Sequence, residues 1–77
     1  MTARPIKHSL TLSGHRTSVS LEETFWQAFR EIAATRGMPI NALAAEIDAN
    51  RPSDAGLASA IRVYVLETLR RASPTDP

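Results

Sequence analysis

The run Arg16-Thr17-Ser18-Val19-Ser20-Leu21 alternates with period 2, and from Glu22 onward the period turns helical with no breaker between the two. A strand that feeds directly into a helix can bury only one face against it. It also needs a second strand beside it, because a lone strand leaves its backbone N–H and C=O groups unpaired. Alternation sends Thr17, Val19 and Leu21 toward the helices and Arg16, Ser18 and Ser20 outward.

Two partners for this strand follow from the residues. Lys7-His8-Ser9-Leu10-Thr11-Leu12 also alternates, with Leu10 and Leu12 on one side and Ser9 and Thr11 on the other, and Ser13-Gly14 supplies turn chemistry for a hairpin. Alternatively, residues 7–12 are an arm that orders only on binding or dimerisation, and strand 16–21 pairs antiparallel with its copy in a symmetric dimer. Size argues for a dimer whichever role residues 7–12 take. At 77 residues the chain is at most one domain, and chains of this length bury only about 60% of their unfolded surface. It has no cysteine and hence no disulfide, so oligomerisation is the remaining source of stability.

Downstream, Phe25, Phe29, Ile32 and Ala33 form an apolar stripe of helical period that ends at Gly37, a C′ residue. Ser20-x-x-Glu23 matches a capping box with Ser20 as N-cap. Ile40, Leu43, Ala44 and Ile47 mark a second helix over 39–50, with Pro39 tolerated in its first turn. Arg51-Pro52-Ser53-Asp54 then breaks the chain and offers Ser53 or Asp54 as the next N-cap. A third helix over 55–71, apolar on more than half its circumference, is expected to be shared with a second chain. Residues 1–6 read as a flexible arm, 7–72 as a single domain and 73–77 as a disordered tail. The fold class is mainly α with a short β-ribbon, as an intertwined homodimer.

Of nine Lys and Arg and eight Asp and Glu, three cations and no acid fall within residues 1–21, leaving six cations and eight acids beyond. That asymmetry points to a polyanion. A two-stranded ribbon fits the major groove of B-DNA, where Arg reads guanine O6 and N7 and Ser pairs with several bases. Arg16, Ser18 and Ser20 are therefore the expected base contacts. The start of the second helix, Met38, Ile40 and Asn41, would offer backbone N–H groups to a phosphate, joined by Arg4 and Lys7.

These residues resemble the ribbon-helix-helix DNA-binding proteins of the Arc and MetJ type, and more closely a group of short bacterial ribbon-helix-helix domain proteins. The resemblance rests on Gly14 through Glu22, Phe25-Trp26, Arg30-Glu31-Ile32-Ala33, Arg36-Gly37, and Ala60-Ile61-Arg62-Val63 with Val65-Leu66, spanning roughly residues 7–71. It implies a homodimer whose ribbon enters the major groove of double-stranded DNA, with Arg16, Ser18 and Ser20 on bases, and a role in transcription regulation. Against the minimal family fold the run 7–12, which would extend the sheet as an extra N-terminal strand, and one helix are additional. Either 39–50 or 55–71 is the family's second helix, and 39–50 follows Gly37 at the usual short spacing.

Other constellations carry less. Ser18, His15 and Glu22 are triad residue types without a nucleophile turn or oxyanion nest, so no enzyme is expected. His8 and His15, with no cysteine, make no zinc site, and no cofactor is expected. Trp26 reads as packing at the dimer seam, and Arg62, Arg70 and Arg71 as a solvated helix face. No run approaches a membrane span or a signal peptide, so the expected location is the cytoplasm. The alternative function is a protein-interaction dimer, antitoxin-like or adaptor, docking a partner through the C-terminal helix.

Overall fold

A computed structural model describes residues 4–72, in the order β1 (Pro5–Leu12), β2 (His15–Glu22), α1 (Glu23–Arg36), α2 (Ile40–Asn50) and α3 (Leu57–Ala72). Strand β2 finds its partner within the chain. It pairs antiparallel with β1 in a register running from Pro5 opposite Glu22 to Leu12 opposite His15. One edge of strand 16–21 is thus taken by an intrachain hairpin. Its cause is local, because Ser13 (φ 52°) and Gly14 (φ 86°) both adopt the left-handed conformation of a two-residue type I′ turn, whose twist matches that of the strands it joins.

Three sequence expectations shift with this hairpin. Pro5 and Ile6, read as arm, belong to β1, where a strand-initial proline costs no ladder hydrogen bond. Ser20 is not an N-cap, because β2 runs on through Glu22, which takes the N-cap position without a side-chain cap. Ser53 and Asp54 lie in the turn before α3, whose first hydrogen bond runs from the Ala60 amide to the Gly56 carbonyl. The tail assigned to 73–77 lies outside the described residues.

The helices follow the apolar periods. Gly37 (φ 68°) closes α1 in a Schellman motif, with the Met38 amide donating to the Ala33 carbonyl at 2.9 Å and the Gly37 amide to Ala34 at 3.0 Å. The reversal allows α2 to start at Ile40, with Pro39 as N-cap. Arg51 organises the next connection, with its Nε donating to Asp48 Oδ1 at 2.7 Å and its Nη1 to the Ala55 carbonyl. A further node ties all three helices: Arg36 Nη1 donates to Glu46 Oε2 at 2.8 Å and to the Tyr64 hydroxyl at 3.0 Å.

One core lies between the inner face of the hairpin and the helices. Leu10, Val19 and Leu21 from the ribbon meet Phe29, Ile32, Ala33, Leu43, Ala44, Ile47, Ile61 and Val65. Thr17 shares the inner register but is exposed, lying toward the turn opposite Leu10. Trp26, expected at a dimer seam, stacks within the chain on His8 of β1, with ring centroids 3.8 Å apart and planes within 7°. No helix among the described residues is long and apolar enough to cross a membrane.

Because faces alternate, neighbouring residues of β2 respond oppositely to substitution. Val19→Asp would bury a carboxylate without a partner, costing more than about 3 kcal/mol, enough to unfold a domain this small. Ser18→Ala should change stability by no more than about 0.5 kcal/mol. Thermal melts followed by circular dichroism check the pair, and equal losses would place the register one residue out.

Candidate nucleic-acid interface

The hairpin decides which side chains share a surface. A two-residue turn makes Leu12 and His15 a hydrogen-bonded pair, so every second pair beyond it is of the non-hydrogen-bonded kind, with Cα atoms about 4.5 Å apart. These are Thr11 with Arg16, Ser9 with Ser18, Lys7 with Ser20 and, at the open end, Pro5 with Glu22, and the side chains of the first three pairs are all exposed on the outer face. Two cations and four hydroxyls form that surface. No carboxylate stands among them, and Glu22 at the far end is engaged elsewhere.

Arg16, Ser18 and Ser20 lie together on the outer face of β2, as read from the alternation. Lys7 is not in a separate arm but faces Ser20 across the ribbon. Arg4 is exposed just before β1. The α2 group divides. The Met38 amide, expected to hold a phosphate, already donates to the Ala33 carbonyl and cannot also serve an anion. The Ile40 and Asn41 amides are the first two of α2 and have no partner among the described residues, since the helix hydrogen bonds begin with Ala42 and Leu43 on the Pro39 carbonyl. The Asn41 side chain is committed, its Oδ1 accepting from the Thr11 amide at 3.0 Å and tying the start of α2 to the β1 edge.

Arg62 was not legible as a site residue. Far from being part of a solvated face, it is half-buried and reaches from α3 to the junction of β2 and α1. Its Nε donates to Glu22 Oε1 at 3.0 Å, its Nη2 to the Ser20 carbonyl at 3.3 Å, and its guanidinium lies 5.8 Å from the centre of the Phe25 ring. Its hydrogen-bond partners lie 40 and 42 residues away, beyond the reach of any periodicity argument. The Arg62 hydrogen bond is the main reason the Glu22 carboxyl sits below its ordinary value of 4.5, assisted by the Glu22 backbone amide. Arg70 and Arg71 are exposed in the last turn of α3, next to its negative dipole end.

Among the described residues no three His, Cys, Asp or Glu side chains gather as a metal site. The surface is one that hydrogen-bonds and attracts anions. A family model described as a ribbon-helix-helix domain matches residues 5–69, across the hairpin and most of the three helices. No curated protein and no solved structure matches the chain significantly.

The Glu22–Arg62 pair implies an acid-labile contribution to stability. A carboxyl whose folded value is depressed stabilises fully above the ordinary 4.5, and the stabilisation is lost as pH falls below that through the folded value. Wild type should therefore melt above Glu22→Gln near neutral pH, with the gap closing as the pH falls below the ordinary 4.5. A gap that stays constant as the pH falls would mean the pair is not formed.

Proposed function

This chain belongs to the ribbon-helix-helix domain family, and from that premise we propose that it is a sequence-specific DNA-binding homodimer that regulates transcription by placing a two-stranded ribbon in the major groove. Membership of the family supports a DNA-binding regulatory role. The observation that carries the finer reading is the outer face of the ribbon, where Arg16, Ser18 and Ser20 are exposed with no competing acid beside them. Arg16 forks to guanine O6 and N7, and the serines read neighbouring edges. Arg4 and the free amides of Ile40 and Asn41 hold phosphates and set the depth of the ribbon.

Dimerisation is supported by α3. Val63, Leu66 and Leu69 remain 54%, 53% and 49% exposed, a large apolar surface for so small a protein, and a second copy would cover it. The same helix favours a second reading, in which a different protein docks there. A groove of about 390 Å³ between α2 and α3, lined by Ile47, Pro52, Ala55, Ala60, Val63 and Tyr64, would receive an apolar side chain of such a partner.

Two measurements test these statements. Binding selection from a random duplex pool, then titration at several salt concentrations, should show wild type preferring the selected duplex. Arg16→Ala should cost about 1–3 kcal/mol per contact on that duplex and relax one position in each half-site, with the melting temperature unchanged. Failure of wild type to prefer any duplex would move the docking reading into first place. For the dimer, the melting temperature should rise with protein concentration, as mass action requires. A concentration-independent midpoint with a monomeric sedimentation mass would exclude the dimer.

A further inference from the structure

We infer that Asn41 is a positioning residue for Arg16. Its carboxamide reaches from the start of α2 to the outer edge of β1 and holds the tip of the hairpin where Arg16 can meet a base. The inference rests on the DNA-binding reading above and names the residue that aims its leading contact.

Three observations lead to it. First, the tip has little burial of its own. Leu10 and Val19 are the last core residues on either side of the turn, and of residues 11–18 only Leu12 is partly buried. Arg16 therefore lies beyond the hydrophobic anchor of the ribbon, where local opening is least costly. Second, the Thr11 amide has no place in the β1–β2 ladder. Thr11 and Arg16 form a non-hydrogen-bonded pair, so the Thr11 N–H points away from β2 to the outer edge of β1. There Asn41 Oδ1 takes it at 3.0 Å. Third, among the described residues this is the one side-chain hydrogen bond between β1 and a helix. The other grip on β1, the stack of Trp26 on His8, lies on the far side of Leu10 from the turn.

The link passes directly to Arg16. Thr11 and Arg16 are opposite each other, with Cα atoms about 4.5 Å apart in a pair of this kind, so a displacement of Thr11 is carried to Arg16. Ser18 and Ser20 flank the buried Val19 and Leu21 and keep their places without it. A guanidinium that donates to guanine O6 and N7 at once tolerates little displacement, because both hydrogen bonds must be made together. Asn41 is exposed at the second position of α2, where alanine favours helix more than asparagine does, so α2 forms without this side chain. Its carboxamide serves the hairpin tip.

Hydrogen exchange of the free protein tests the link, and duplex titration tests what the link does. In Asn41→Ala the Thr11 amide should exchange about tenfold faster than in wild type, with the Val19 and Leu21 amides as protected as before. Asn41→Asp keeps an acceptor oxygen in the same place and should keep the Thr11 amide protected. On the duplex selected by wild type, Asn41→Ala should lower the preference over a scrambled duplex about fivefold, the lower value of one bidentate base contact, and relax the position that Arg16→Ala relaxes. Asn41→Asp should weaken both duplexes, because its charge repels phosphate, yet leave the preference within about twofold of wild type. The inference is overturned if Thr11 exchanges no faster in Asn41→Ala, or if Asn41→Ala keeps the wild-type preference. It is also overturned if Asn41→Ala weakens both duplexes alike, which would place the Asn41 carboxamide itself on a phosphate. In each of these cases a loss of preference in Arg16→Ala would still uphold DNA reading by β2, whereas a wild type that prefers no duplex overturns both.

Discussion

The rest of the molecule depends on the burial of one face of a two-stranded sheet. Such a sheet is marginal in water unless something covers it. Here Leu10, Val19 and Leu21 are almost wholly buried against the helices, each worth roughly 1.5–3 kcal/mol of transfer free energy. Because side chains alternate, anchoring these three leaves no freedom for their neighbours. Ser9, Thr11, Ser18 and Ser20 must face away, and so must Lys7 and Arg16. The same packing that stabilises the ribbon therefore presents its polar row to a ligand.

The helices serve that placement in different ways. Helix α1 continues directly from β2 and carries Phe29 under the ribbon, while Trp26 stacks on His8 and so grips β1 as well. The Schellman turn at Gly37 returns the chain so that α2 begins beside the β1 edge, where Asn41 fastens it. Helix α3 supplies Ile61 and Val65 to the core and sends Arg62 to the β2–α1 junction. The helix surplus to the minimal family pattern thus helps to hold the ribbon, and its opposite side remains apolar and uncovered.

Charge follows the same geometry. The net charge of +1 is low for a groove binder, yet among the described residues Glu22 is the one carboxylate in the outer rows of the ribbon. Glu22 is neutralised by Arg62, and Glu46 by Arg36. The field at the ribbon is therefore set by Lys7 and Arg16 more than by the whole-molecule sum, within the roughly 8 Å over which exposed charges act at physiological salt.

Sequence alone determined the features that depend on local periodicity. The two alternating runs, the apolar stripes Phe29-Ile32-Ala33 and Leu43-Ala44-Ile47, the stop at Gly37 and the outward row Arg16, Ser18, Ser20 all follow from steric and hydrophobic rules that act over a few residues. Only the tertiary structure decided what those elements meet. That the strand pairs with residues 5–12 of its own chain turned on the backbone angles of Ser13 and Gly14, which composition suggests but does not impose. The partners of Trp26, Asn41 and Arg62 lie 18, 30 and 40 residues away, and the Met38 amide proved to be spent inside a turn. Contacts at that separation arise from how elements pack against one another, and a one-dimensional pattern carries no record of it.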